Sequence, residues 1–260
     1  MKWYTVAGLL VASGLTLALV APLVPANATA TTQTSGSTVS TQSAPRCLET
    51  RIVGYSAKKR AIVACRQGTP GGTPALVIGT MHGNEKLGQQ VIDKLRFWGL
   101  PQGLDLWTIR SMNPDGTTAN TRTNARGVDL NRNFPYRWEA SSRGGCCYSG
   151  SRWWSEPESL ALGKFILSIR PYTVIVFHQA LHVVDYPTVG DAWVTRSLAR
   201  RSGIPARALT GYRGTLTGWT NAQRWRPTAV TFELGRTESP SQLSRITGAV
   251  VYVLNQRVKA

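Results

Sequence analysis

Short unbroken apolar runs alternate along this chain with stretches whose apolar residues recur at helical spacing. Four runs predict strands buried on both faces: Pro74–Met81 (PALVIGTM), Leu104–Met112 (LDLWTIRSM), Thr173–Phe177 (TVIVF), which stops at His178, and Thr228–Leu234 (TAVTFEL). Between them, Glu85–Phe97 carries Leu87, Val91 and Leu95 on one helical face and meets a stop at Gly99. Ser155-Glu156-Pro157-Glu158 has the S-x-x-E form of a capping box and opens a helix with Leu160, Phe165 and Ile169. Asp191–Ser202 predicts a helix ended by Gly203, and Pro240–Val258 a terminal helix with Leu243, Ile246, Val250 and Val253 inward. Strands alternating with helices predict an α/β fold: a mixed, mostly parallel central sheet covered by helices on both faces. The stretch from Asn113 to Trp154 has no periodicity and predicts a long functional loop.

The first 45 residues stand apart from this pattern. Lys2 precedes an apolar run from Val6 to Val24, followed by Ala26-Asn27-Ala28 and Ala28-Thr29-Ala30. This is the layout of a signal peptide over residues 1–28, with cleavage near Ala28 or Ala30. Pro22 and Pro25 argue against a retained membrane anchor. Residues 29–45 read as a flexible Ser/Thr-rich linker, which leaves 46–260 as one domain. The expected location is secreted, extracellular or cell-wall associated. A net charge of +17 draws an exported protein to anionic surfaces, with the cell envelope or an acidic peptide ahead of nucleic acid, for which no motif is present. Nothing in the pattern calls for a second copy, and a monomer is expected. Cys47, Cys65, Cys146 and Cys147 form an even set in an exported chain, which favours disulfides over thiolate zinc ligation, and no C-x-x-C pair occurs. Cys47 and Cys65 flank an expected hairpin, but three pairings remain open.

Candidate chemistry gathers at the ends of the strands. The chain has three histidines. His82 and Glu85 lie three apart just after the first apolar run, and His178 ends the third. Imidazole and carboxylate are good zinc ligands, and three protein ligands leave a position open for catalysis. A lone H-x-x-E is a common surface pair; a shared sheet edge with His178 is what gives it weight. His182 is expected to orient Gln179 or Asp185, or to line the pocket, rather than to ligate. Glu233, at the end of the fourth run, is a carboxylate that burial disfavours unless it has a partner or a task, and it suits a general base. Arg122 and Arg132, with Asn131, offer donors for a carboxylate.

The ordered set HGNE, NPDG, an arginine, GVDLNRNFP, a strand ending in histidine, and TFELG resembles the zinc metallocarboxypeptidase family typified by carboxypeptidase A. It is most similar to that family's compact bacterial branch, which includes murein tripeptide amidases. The resemblance covers Ile52 to Val258. It implies a carboxypeptidase-like α/β/α fold and one Zn2+ held by His82, Glu85 and His178. Glu233 would be the catalytic base and Asp129 the support of the first histidine. Asn131 and Arg132 would bind the substrate's free carboxylate, and Arg122, or the nearby Arg126, the oxyanion. Tyr212 would be the tyrosine of the loop above the site, with Leu216 and Thr217 as candidates for the specificity pocket. The substrate implied is a peptide with a free carboxylate, in murein or at protein C-termini. A zinc deacylase and an inactive wall-binding module are the rival readings.

Overall fold

The computed structural model describes residues 47–144, 147–186 and 190–258. The expected signal peptide, the linker and Cys146 lie outside them. Eight strands make one sheet among the described residues: β1 (Glu49–Tyr55), β2 (Ala61–Gly68), β3 (Thr73–Ile78), β4 (Leu104–Ile109), β5 (Thr173–Gln179), β6 (Val183–Asp185), β7 (Ala206–Arg207) and β8 (Thr228–Leu234). Their order is β1-β2-β4-β3-β5-β8-β6-β7. The four central strands β4, β3, β5 and β8 run parallel, while β2 joins β4, and β6 joins β8, in antiparallel pairs. The expected mixed, mostly parallel sheet is therefore present.

Among the described residues six helices cover it: α1 (Leu87–Leu95), α2 (Pro114–Ala119), α3 (Pro157–Ile169), α4 (Ala192–Ser202), α5 (Leu216–Asn221) and α6 (Pro240–Val258). Alternate residues of each central strand enter opposite cores. Ala75, Val77, Ile175, Phe177, Val230 and Phe232 pack against α1, α4 and α6. Leu76, Ile78, Val174, Val176 and Ala229 pack against α3, α5 and the loop residues Leu130 and Phe134. Burial on both faces is why these strands are apolar without interruption.

Local chemistry sets the element ends. Asp191 caps α4 by accepting from the Trp193 N–H at 2.9 Å, and Gly203 ends it in the left-handed conformation. The S-x-x-E reading of α3 is corrected: Glu156 is the N-cap and makes no side-chain cap bond. The Ser155 hydroxyl donates to Glu156 instead, and Glu158 accepts from the distant Ala57 N–H. The inward face of α3 is Leu162, Phe165 and Ile166, not Leu160. The NPDG stretch is a helix start. Asn113 accepts from the Gly116 N–H at 2.9 Å and Pro114 occupies the first turn of α2, where its missing N–H costs nothing. The loop that follows also holds a 3-10 turn, Leu130–Arg132, capped by Asp129. Strands β1 and β2 form the expected hairpin, and a Cys47–Cys65 disulfide closes its base. Among the described residues no helix is long and apolar enough to cross a membrane.

Candidate metal centre and its cleft

Strands β3, β5 and β8 are adjacent and parallel, so their C-terminal ends share one edge, the usual ligand edge of α/β sheets. Strand β5 runs one residue past His178, which sits in register with Glu233 on β8. After β3 the chain makes an irregular turn through His82 and Glu85, and α1 begins only at Leu87. Gly83 permits that turn: a Cβ there would lie 1.9 Å from the Gly116 carbonyl carbon at the start of α2.

His82, Glu85 and His178 are buried and offer one ligand atom each, all within 4.8 Å of one another. His82 Nδ1 is 2.9 Å from Glu85 Oε1, and His178 Nδ1 is 2.9 Å from Glu85 Oε2 and 3.1 Å from His82 Nδ1. On its other side, His82 Nε2 donates to Asp129 Oδ1 at 2.9 Å. That bond keeps the proton on Nε2 and turns the Nδ1 electron pair toward the cluster. The nitrogens of two imidazoles and the Glu85 carboxylate then crowd one buried space that holds more acceptor sites than protons. A cation relieves that crowding, and the Arg122 guanidinium already reaches in, 3.1 Å from His82 Nδ1 and 3.2 Å from Glu85 Oε1. Two nitrogens and a carboxylate oxygen fit a zinc ion with an open coordination position.

The carboxyl groups here divide by surroundings. Burial works to raise the pKa of Glu85, but the facing histidines His178 and His82 hold it below the carboxylate range. Burial likewise opposes ionisation of Asp129, and its bond to His82 with the charge of Arg122 keeps it ionised. Glu233 goes the other way. Burial pushes its pKa up, the negative charge of Glu85 adds to that, and His178 only partly opposes it. The Leu181 N–H approaches it at 3.4 Å.

A cleft of roughly 510 Å³ opens beside the cluster. His82, His178, Glu233, Arg122, Asn131, Arg132, Tyr212 and Thr217 all line it. Arg122 also donates to Asp129 Oδ2 through Nη2 at 2.9 Å, which separates it from Arg126. Arg126 is 55% exposed, 3.8 Å from Glu156, and does not line the cleft. Asn131 accepts from the Leu216 N–H at 3.0 Å and points its amide nitrogen at His178. The Arg132 guanidinium lies 4.8 Å from the Tyr212 ring centre. Two expectations are corrected. Leu216 is fully buried in the core with Phe134 and Trp219, leaving Thr217 as the member of that pair in the cleft. His182 neither lines the cleft nor orients Gln179 or Asp185; it faces Glu238 at 3.4 Å. The sequence reading missed Tyr136, Arg137, Thr231 and Asp185 as cleft residues. Thr231 alone had a readable signal, being two residues before Glu233 on one strand and so on the same face.

Comparison with known proteins agrees with this geometry. A zinc carboxypeptidase family model matches residues 38–192, more than half of the chain. Murein peptide amidase A of Escherichia coli strain K12 is 35% identical over 125 residues, covering 43% of this chain and 51% of the relative. The carboxypeptidase N catalytic chain of Rattus norvegicus is 33% identical over 144 residues, covering 42% and 32%. The chain thus spans about half, or less, of the length of these curated relatives. Among solved structures, murein-tripeptide amidase MpaA from Escherichia coli O157 has the same fold, with a TM-score of 0.67 at 24% identity over 79% of this chain and 91% of that one. By the family match, the shared fold and the converging His-Glu-His set, this chain belongs to the zinc carboxypeptidase family.

Proposed function

We propose that this chain is an exported zinc peptidase that hydrolyses the amide bond beside a free carboxylate in murein peptides. The observation that carries the proposal is the meeting, at one sheet edge, of a His82–Glu85–His178 donor set, a Glu233 carboxyl of raised pKa and the cationic Arg122 and Arg132. The relatives named murein peptide amidase support the substrate class. Export is supported by the apolar run Val6–Val24 with its A-x-A motifs, and the net charge of +17 suits an anionic envelope.

In this reading His82, Glu85 and His178 hold one zinc ion, which when bound polarises a carbonyl and acidifies water. Glu233 takes a proton from the attacking water and returns it to the leaving amine. Its raised pKa brings it nearer the range where one group performs both transfers. Arg122 stabilises negative charge on the carbonyl oxygen. Arg132 and Asn131 hold the substrate's carboxylate and so set which bond lies at Glu233, with Tyr212 stacked against Arg132 at the cleft wall. Asp129 fixes the tautomer of His82.

The test is incubation of purified protein with murein peptides and with ordinary peptides of varied C-terminal residue, with and without a chelator, read by mass spectrometry. The expected result is chelator-sensitive release from murein peptides. Release from ordinary C-termini alone would make it a general carboxypeptidase. Release of acyl groups from amino acids would make it a deacylase, and binding without cleavage a wall-binding module.

A further inference from the structure

Helices α4 and α6 pack side by side over one face of the sheet. Residues 192–207 and α6 together hold six arginines and no aspartate or glutamate. One of the six, Arg257, pairs with Asp191, the N-cap of α4, at 3.1 Å. Arg196, Arg200, Arg201 and Arg245 are exposed, and among the described residues none of them makes an ion pair. Three of them are held by uncharged neighbours. Arg196 Nη1 donates to the Tyr186 hydroxyl oxygen at 2.8 Å, and the Arg201 guanidinium lies 3.2 Å from the centre of the Tyr252 ring. Arg245 reaches the end of α4, where a Cβ built at Gly203 would lie 3.1 Å from its Nη1. Nearby, Gln242 Nε2 donates to the Ser202 carbonyl at 2.8 Å and ties the two helices together. Arg196 and Arg200 lie four apart on one helix face and repel each other. Positive charge gathered on one face without an internal partner is stabilised by an anion from outside.

The same face lacks what other partners need. Among the described residues no large apolar side chain is exposed on α4 or α6, so the face offers neither an anchor for a bilayer nor an apolar hot spot for a folded protein. Its two aromatic residues, Trp193 and Tyr252, are half-buried with ring centres 6.2 Å apart, and Arg201 covers Tyr252, which leaves no ring free to stack a base. What remains is a set of fixed guanidinium forks, which suit phosphate oxygens. We propose that the α4–α6 face is a docking surface for a linear phosphodiester polymer without bases, a polyol phosphate of the cell envelope. From α4 the chain passes through β7 into the cleft wall at Ala208, so a docked polymer keeps the cleft at the envelope. The proposal rests on the export reading for where such a polymer is met, and not on the peptidase reading.

The experiment measures binding of poly(glycerol phosphate) by calorimetry over a range of salt concentrations. Three proteins are compared: wild type, the triple variant Arg200→Gln, Arg201→Gln, Arg245→Gln, and a control triple variant Arg143→Gln, Lys164→Gln, Arg224→Gln, which removes the same charge from exposed positions elsewhere. Wild-type affinity is expected to fall steeply with salt. The helix-face variant is expected to lose at least about tenfold at physiological salt, with a logarithmic salt slope smaller by about two, at roughly 0.7 per phosphate contact. The control is expected to stay within about threefold of wild type. Absence of wild-type binding, or equal losses in the two variants, overturns the assignment. Tighter wild-type binding of single-stranded DNA, polyglutamate or anionic vesicles at matched charge also overturns it, and this comparison needs no variant to fold. Circular dichroism reports that the variants are folded. None of the three helix-face arginines lines the cleft, so hydrolysis of free murein peptides by that variant is expected to match wild type. Polymer binding by a wild-type protein that cleaves no peptide supports the docking surface and removes the peptidase reading; cleavage without polymer binding does the reverse.

Discussion

Asp129 organises the site more than any ligand does. It is fully buried, its Oδ1 meets His82 Nε2 and the Asn131 N–H, both at 2.9 Å, and its Oδ2 receives the Arg122 guanidinium. One side chain thus fixes a candidate ligand, the carboxylate-binding segment and the oxyanion arginine. Asp129→Asn should weaken zinc affinity by about 10- to 100-fold, measured by competition with a metallochromic indicator. Unchanged affinity would mean that His82 is held by packing alone. At this scale the sequence was most informative where a residue's role depends on strand position. His178 and Glu233 were readable because each ends an apolar run. Arg122 and Arg126 were not separable, because they lie four apart in an aperiodic loop and only tertiary contacts, to Asp129 and to Glu156, tell them apart. His182 was misread because a histidine in the short connection between β5 and β6 gives no sign of a partner as remote in sequence as Glu238.

Elements followed the hydrophobic pattern wherever both faces of a strand, or one face of a long helix, are buried. Strand β8 and helix α6 begin and end where the periodicity puts them. The short pieces β6, β7 and α5 were not legible, since two to six residues carry too little pattern, and of these the end of β6 and α5 supply Asp185, Thr217, Gly218 and Asn221 to the cleft wall. Helix α2 was hidden because Asn-Pro-Asp-Gly suits a turn and a capped helix start equally well. The β1–β2 hairpin was legible, but its cross-link was not, since pairing depends on register. Cys47 and Cys65 are 18 residues apart, and β1 is an edge strand. Replacing both by alanine should lower stability by about 3 kcal/mol through the larger entropy of the unfolded chain. Thermal unfolding followed by circular dichroism checks this; a change within about 0.5 kcal/mol would mean that β1 is held by its ladder and by α3 alone.

Across the molecule, the fold converts separate strand ends into one site. The order of strands could not be read from periodicity, which is local and says nothing about neighbours. Once β3, β5 and β8 lie side by side, His82, Glu85, His178 and Glu233 meet though they span more than 150 residues of chain. The two cores pack against these strands from both faces and so hold the edge that carries the donor atoms. The central claim is that the donor set binds zinc while Glu233 moves the proton. The most direct measurement is zinc content alongside murein-peptide hydrolysis for wild-type and Glu233→Gln protein. The account predicts one zinc per chain in both and a loss of about 100- to 10,000-fold in kcat for the variant. Near-normal turnover by Glu233→Gln, or a wild-type protein that hydrolyses these peptides with no zinc bound, would contradict it.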